Sequence, residues 1–375
     1  MEEHEEVGRP LTCAGLVTPR TLELAGVSPD IVIRRITGAR VHVPEAPVLA
    51  LEGAGVKALV IDRVRLDVEM AQQAQQAGAE LLVETKAVGV ERSGGVVVIR
   101  IQRKAQTSSL RARLVVGADG PKGGVARCVG LASPPESIVC VTSEVRLRSE
   151  PEDAVRVFVG RGQAPGWFGW VIPALDGWAR VGLGTANGAS PAPLLRNLVE
   201  TFPEVFKGVK MGRLAGGVIG LGMASPLYAD NVMLVGGAAG QVKPTSGGGV
   251  YLGLKAARHC ARTAIEALGA GDVSAGFLAR YAARWEEDAG REFRRGLELR
   301  RAFVSLNDRE FRAVTKVLRN RRLQELATHL GDIDYPSHLF SRLLKGTTVG
   351  AALLGVSPAL WPRALALAWR LRGLR

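Results

Sequence analysis

The sequence predicts a mixed α/β protein, α+β overall, with a glycine-looped α/β region, an inserted antiparallel sheet and a helical C-terminal region. Three observations predict it. Two apolar runs, Leu114–Val116 and Val232–Val235, stop abruptly in glycine and open into helical segments, as strands of parallel α/β sheets do. Between them, from Ile138 to Thr185, apolar and polar residues alternate and carry aromatics, the period of a sheet with one solvated face. After Leu268 the chain turns arginine-rich, with apolar stripes at helical spacing (Phe277, Leu278, Tyr281, Trp285; then Phe303, Leu306, Phe311, Val314).

Taken in order, Val60 to Asp62 reads as a strand end, and Arg63 to Ala77 as a helix stopped by Gly78. Strands are expected at Glu80–Glu84, Val88–Arg92 and Val96–Gln102, the last two joined by a Ser93-Gly94-Gly95 turn, and again at Leu110–Val116. The alternating region supplies Val139–Leu147, Val155–Val159, Trp167–Ile172 and Trp178–Gly184, with a helix beneath them from Pro193 to Phe206. Val250 to Leu268 is a further helix. The expected divisions are residues 1–132 and 226–280 as two parts of one α/β domain, 133–225 as the inserted sheet and 281–375 as a basic helical region.

At 375 residues and 47% hydrophobic, the chain is long enough for a large core and two or three domains. Its formal charge of +13 is uneven: residues 281–375 hold 18 Lys/Arg against 10 Asp/Glu, a net +8. Four scattered cysteines (Cys13, Cys128, Cys140, Cys260) form no CxxC pair and no zinc spacing, so free thiols in a reducing cytoplasm and no metal site are expected. No secretory leader is read in the acidic opening, and no stretch reaches the ~18–20 uninterrupted apolar residues of a membrane span.

The chemistry concentrates at the glycine loops. Asn231-Val-Met-Leu-Val-Gly-Gly237-Ala238-Ala-Gly-Gln-Val-Lys-Pro-Thr-Ser-Gly-Gly-Gly249-Val250 delivers a strand to a glycine-rich turn and a helix N-terminus, whose free N–H groups and dipole favour a negative group. Leu114-Val-Val-Gly-Ala-Asp119-Gly-Pro-Lys-Gly-Gly-Val does so with a carboxylate at the turn. Asp119 suits a ribitol or ribose hydroxyl, or a cap on the following helix. Ile61-Asp62-Arg63-Val-Arg65-Leu66-Asp67 puts arginines at a helix entrance, where a guanidinium fork can meet a pyrophosphate; Arg63 is the first candidate and Arg65 the alternative register.

These segments resemble, in order, the "DRxxLD", "GADG" and "GDAAG…P…GGGI" motifs of the geranylgeranyl reductase family of FAD-dependent oxidoreductases. Glu2-Glu-His-Glu-Glu-Val-Gly-Arg-Pro-Leu-Thr-Cys13-Ala14-Gly15-Leu is similar to that family's "EEHxxVGxPxxCAGL" stretch. Gly166-Trp-Phe168-Gly-Trp170-Val-Ile-Pro173 is similar to its "YxWxFP" stretch, with Phe168 and Ile172 replacing Tyr and Phe. The likeness covers roughly residues 1–270 through these five motifs. It implies an FAD-binding Rossmann-type domain with an inserted substrate-binding sheet and a C-terminal helical region. The implied cofactor contacts are Glu2, Cys13, Ala14, Gly15, Arg63, Ala87, Asp119, Gly237, Ala238, Gly249 and Val250, and the implied substrate contacts are Phe168, Trp170 and Pro173. No catalytic side chain is assigned. The implied reaction is reduction of isoprenoid C=C bonds in lipids by reduced FAD, with NADPH or another reductant as donor and no nucleic-acid partner.

Two departures accompany the resemblance. The family's aspartate is Gly237 here, and the family places a strand–GxGxxG–helix unit of roughly 30 residues before the segment that begins at Glu2. The expectation is an incomplete Rossmann-type domain that holds FAD poorly or not at all. Two other readings therefore stand beside the reductase: a flavin monooxygenase or halogenase of the same fold (Trp167, Trp170 and Ile172-Pro173 come close to WxWxIP), and a degenerate, non-catalytic lipid-binding protein. The tail from Thr347 to Arg375, with Leu353, Leu354, Leu360, Trp361, Leu365, Leu367, Trp369 and Leu371 beside Arg363, Arg370, Arg372 and Arg375, is expected to lie on the inner face of a membrane.

Overall fold

The computed structural model describes residues 1–53, 55–147, 153–186 and 188–339. The tail 347–375 lies outside the described residues.

The chain opens with β1 (Leu16–Val17), α1 (Pro19–Ala25), β2 (Val32–Ile36), β3 (Gly38–His42), β4 (Leu49–Glu52) and β5 (Ala58–Ile61), which hands over to α2 (Arg63–Gln76). Asp62 caps α2, its Oδ1 accepting the N–H groups of Val64 and Arg65 at 3.1 Å each. Then come β6 (Thr85–Ser93), β7 (Val96–Arg103), β8 (Gln106–Ala112), β9 (Val115–Gly117) and α3 (Val125–Cys128). The inserted region supplies β10 (Glu136–Arg146), β11 (Ala154–Phe158), β12 (Gly169–Pro173), β13 (Trp178–Thr185), α4 (Pro191–Thr201), α5 (Pro203–Phe206) and β14 (Ala215–Leu221). β15 (Tyr228–Ala229) and β16 (Val232–Leu234) return to the first region and lead to α6 (Val250–Ala270). The helices α7 (Ala275–Trp285), α8 (Arg291–Ser305), α9 (Asp308–Leu318) and α10 (Arg321–Leu330) follow.

β9 and β16 pair in parallel (Val115↔Val232, Gly117↔Leu234), so the two glycine-terminated runs are neighbours, as their sequence pattern requires. They are packed into the largest core cluster, in which Met233, Leu234, Ala256, Leu278, Tyr281 and Trp285 are fully buried. The seven-stranded sheet has the order β14-β10-β13-β12-β11-β3-β4, antiparallel except for the parallel pair β11/β3.

Four sequence expectations change. The stretch 38–52, assigned above to the first α/β part, instead contributes β3 and β4 to the seven-stranded sheet, because β3 fills the free edge of β11 (Ala154↔Gly38 through Phe158↔His42). Residues 110–116 are two strands. Asn231 holds the chain between them by donating from Nδ2 to the Arg113 carbonyl (2.7 Å) and the Gly95 carbonyl (3.1 Å). The helix expected over 193–206 starts at Pro191 and breaks at Phe202, where Pro203 follows. Residues 80–84 form no regular strand but hold the N-terminal segment: Glu2 N–H donates to Leu82 O, Glu84 N–H to His4 O and Thr85 N–H to Glu2 O, at 2.8–2.9 Å.

Beneath the seven-stranded sheet, α4 and α5 cover Phe158, Val181 and Leu183. His42 is 2% exposed there, stacked on Phe158 at 4.7 Å with its Nε2 lacking a partner. Burial first, then the charges of Arg156 and Arg40, push its pKa down to about 4 from the usual 6.5. A buried neutral histidine stabilises the fold fully above pH 6.5. That contribution is lost as pH falls towards 4, because the unfolded chain takes up the proton first. Replacing His42 by Phe is expected to remove a pH-dependent stability of order 3 kcal/mol across this window, flattening urea midpoints measured between pH 7 and 4. An unchanged slope would show that His42 is not the titrating group.

Candidate functional site

The parallel strands β9 and β16 release their loops side by side. Asp119 Oδ2 accepts the N–H of Val125 at 2.9 Å, so one carboxylate oxygen is committed to the start of α3. Gly237 lies against that loop, since a Cβ there would stand 3.3 Å from Pro121 Cδ and 3.5 Å from Gly120 Cα. Gly236, at φ +65°, donates its N–H to Gln241 Oε1 (2.7 Å). Gln241 Nε2 donates to Tyr281 OH (2.7 Å), which in turn donates to Leu234 O (2.9 Å). Gln241 and Tyr281 are both 0% exposed, so this network fixes the loop shape from below, and Ala238 is buried at 4% above it. The loop ends at Gly249, the N-cap of the 21-residue α6, which has no side-chain cap. The first N–H groups of α6 are thus available to an acceptor. Val250 packs on the cluster of Val17, Ile61 and Leu66.

That contact leads to the second group of candidates. Gly15 sits at φ +70°, its carbonyl accepts the Ile61 N–H at 2.9 Å, and it donates its own N–H to Cys13 Sγ at 3.4 Å. Arg63 begins α2 two residues beyond Ile61. Its Nη1 donates to Asp67 Oδ1 at 2.6 Å, while its Nε is buried without a partner. Burial raises the Asp67 carboxyl against the opposing pull of Arg63, and the nearby Glu2 raises it further. Glu2 is therefore close to the Arg63–Asp67 pair, and its Oε1 accepts the His4 N–H at 2.9 Å. Ala87 lies just beyond on β6, at the bulge between Ala87 and Gly89.

What joins the loops is β14 with the residue after it, the run Gly216-Gly217-Val-Ile-Gly220-Leu-Gly222, which was not singled out from the sequence. A Cβ on Gly217 would lie 3.8 Å from Thr12, and one on Gly220 would lie 2.9 Å from Pro121. A Cβ on Gly247 would stand 2.9 Å from Ile219 and Trp167, and one on Gly240 would stand 2.0 Å from Gly222 O. The loops 12–15, 119–121, 236–240 and 247–249 thus meet along one strand. Four glycines in a seven-residue stretch were the available signal, since glycine inside a strand marks close backbone approach.

The aromatic candidates occupy the same sheet. Phe168 stacks on Trp167 at 4.8 Å and meets Trp170 edge-on at 6.2 Å. Gly182 and Gly184 leave room for the two indoles, each within 2.4 Å of where a Cβ would be. Trp170 packs on the same cluster (Ile36, Ala58, Val60, Ile172) as Ala14 and Leu16, and its Nε1 is buried without a partner. Pro173 closes β12, in register with Ala179. Phe168 also packs on the cluster of Val43, Val159 and Phe311, which Phe303 joins, so α8 and α9 lie on the far side of the aromatic row. Arg300 of α8 sits over Trp167 (4.8 Å), pairs with Glu136 and donates to Gly166 O (3.2 Å).

Two charged groups that sequence reasoning missed complete the picture. Lys243, 7% exposed, pairs with the buried Asp334 at 2.9 Å. Arg180 of β13 reaches the Ala14 carbonyl at 3.0 Å.

The family model described as FAD binding domain matches residues 14–289. The chain is 30% identical over 352 residues to digeranylgeranylglycerophospholipid reductase 2 of Methanothermobacter thermautotrophicus, covering 90% of each chain. It is 31% identical over 333 residues to digeranylgeranylglycerophospholipid reductase 2 of Methanopyrus kandleri, covering 85% of this chain and 83% of the other. Among solved structures, the geranylgeranyl bacteriochlorophyll reductase-like protein of Thermoplasma acidophilum superposes with a TM-score of 0.79 over 91% of each chain. At 22% identity, that likeness speaks for the fold alone.

Proposed function

Because the chain belongs to the geranylgeranyl reductase family of FAD-binding proteins, we propose that it is an FAD-dependent oxidoreductase that reduces C=C bonds in the isoprenoid chains of lipids. The observation that carries the reading is the meeting of four glycine loops along β14, beside a row of three aromatics. The relatives at 30–31% identity carry reductase names, which favours reduction over the monooxygenase and halogenase alternatives.

The residues fit FAD at several points. The uncapped N-terminus of α6 at Gly249 and Val250 offers N–H donors to an electron-rich ring edge, and the orphaned Nε of Arg63 offers a buried donor to a phosphate. Gly15 and Ala14 present backbone rather than side chain on the opposite side. Bound and reduced, FAD would supply the hydride for one alkene carbon, becoming oxidised, and a proton would complete the other carbon. The chain's own tasks are to orient the prenyl segment on Phe168, Trp170 and Pro173 and to keep water out through the packed aromatic row. NADPH or another reductant is the proposed electron source.

Among the described residues, no helix is long and apolar enough to cross a membrane. A peripheral contact with the inner membrane face is proposed from the lipid nature of the substrate. The proposed division assigns 1–37, 55–132 and 226–280 to FAD binding and the seven-stranded sheet to the lipid.

The test is anaerobic incubation of the FAD-loaded protein with a digeranylgeranyl lipid and excess reductant, read by mass spectrometry. The expected product gains two hydrogens per reduced bond; unreduced lipid, or an oxygenated or halogenated product in a parallel incubation under air, would overturn the assignment. Gly237→Asp is a second check. Its φ lies outside the left-handed range and its nearest neighbour is Pro121 at 3.3 Å, so a side chain fits with a small shift. One charge-assisted hydrogen bond contributes ~1.5–3 kcal/mol, so FAD should bind about 10- to 100-fold tighter by fluorescence titration. An unchanged affinity would place the ligand hydroxyls elsewhere.

A further inference from the structure

Arg180 stands out as a buried cation that the reaction outlined above does not use. It lies on β13, in register with Ile172 on one side and Glu144 on the other. Its side chain is 9% exposed and leaves the sheet to enter the α/β part. There Nη1 donates to Ala14 O at 3.0 Å and to Ile61 O at 3.3 Å. Nε is buried without a hydrogen-bond partner, its nearest carboxylate being the well-exposed Glu144 at 3.6 Å. Placing a guanidinium there has a desolvation cost that only specific contacts offset.

The two carbonyls it binds belong to two different segments. Ala14 lies in the loop that runs through Cys13 and Gly15, and Ile61 ends β5 immediately before Asp62 and Arg63. One nitrogen therefore ties together the two segments proposed above to hold the ring end and the phosphate end of FAD. The Gly15 backbone is shaped around this contact. At φ +70° a Cβ on Gly15 would stand 2.2 Å from Arg180 Nη1 and 2.8 Å from Ile61 O, so both the conformation and the space exclude a side chain. Close by, Trp170 and Ile172 pack in one cluster with Ala14 and Leu16. The guanidinium is thus the polar pin in an otherwise apolar contact between the proposed lipid sheet and the proposed cofactor loop.

We infer that Arg180 is a positioning residue: it sets the Cys13–Gly15 loop and the β5–α2 junction relative to the aromatic row, and so aligns donor and acceptor for reduction. This rests on the FAD reading for its catalytic consequence but not for its structural one.

The experiment compares Arg180→Met, Arg180→Lys and Gly15→Ala with the unsubstituted full chain. Hydrogen exchange without FAD is followed in peptides over 13–17 and 59–66, with FAD affinity, the visible circular dichroism of bound flavin, and kcat against KM as further readouts. Arg180→Met is expected to speed exchange in both peptides and weaken FAD by about tenfold, the loss of one charge-assisted bond. It should also change the flavin dichroism and lower kcat, with KM for the lipid within about threefold. Arg180→Lys should fall between, since an ammonium lacks the planar fork, and Gly15→Ala should copy the exchange pattern. Should Arg180→Met not fold, the other two variants give the answer. Wild-type exchange in both peptides would overturn the inference. Faster exchange with unchanged FAD affinity and dichroism would overturn its catalytic part. Failure of the unsubstituted chain to bind FAD would instead remove the functional reading, while the exchange comparison still decides the role of Arg180.

Discussion

Replacing Asp334 with alanine is expected to destabilise the fold by about 3–5 kcal/mol, because it leaves Lys243 charged, buried and alone. The pair is 2.9 Å apart, with the Asp334 side chain 0% and the Lys243 side chain 9% exposed. Thr18 Oγ1 donates to the second carboxylate oxygen at 2.7 Å, and Arg20 approaches it at 3.4 Å. Lys243 is itself part of the glycine loop. Its N–H donates to Gly248 O (3.2 Å), its carbonyl accepts the Gly247 N–H (2.9 Å), and its Cε fills the space beside Gly248. Asp334 therefore holds the 243–249 loop through a residue almost a hundred positions away in sequence. Urea denaturation of Asp334→Ala and of the double variant Asp334→Ala/Lys243→Met separates the parts. The double variant should recover most of the loss, since removing both charges removes the uncompensated one. A loss under about 1 kcal/mol in the single variant would mean that Lys243 finds water or another partner.

Gly240→Ala is expected to cost about 2–5 kcal/mol. A non-glycine residue in the left-handed region costs ~1–2 kcal/mol, and Gly240 is at φ +72°. The added Cβ would also stand 2.0 Å from Gly222 O and 3.0 Å from Gly222 C, both backbone atoms just past the end of β14, and such overpacking costs ~1–3 kcal/mol more. Gly26→Ala is the control. It has a similar φ of +64° but open space around it, so it should show the conformational cost alone. Equal losses in the two variants would show that the loop–β14 contact yields without penalty.

Part of this architecture is legible in the order of the residues alone. The helix from Arg63 and the helix from Val250 follow from local signals, a helical run stopped by Gly78 in one case and a glycine-loop entry in the other. The pairing of Val115–Gly117 with Val232–Leu234 follows from two apolar runs of the same kind ending in glycine. Other features leave little trace. Residues 38–52 carry no signal that separates them from the rest of residues 1–132, and only the free edge of β11, more than a hundred residues later, draws them into the larger sheet. Arg180 reads in sequence as a polar position within an alternating strand. Its burial is decided by the loop that packs over it.

The sequence by itself determined the local units: strands that end in glycine, helices whose first N–H groups are left open, and an alternating sheet with aromatics on it. These depend on backbone freedom, capping and periodicity, which act over a few residues. Tertiary structure alone decided that four loops meet on β14, that Asp334 locks the glycine loop and that Arg180 joins two segments. Such contacts depend on which surfaces meet after long stretches of chain have folded. A carboxylate or guanidinium carries the same letter whether it ends in water or in a buried pair. Only the packing around it sets whether its charge is screened or becomes a fixed constraint on the site.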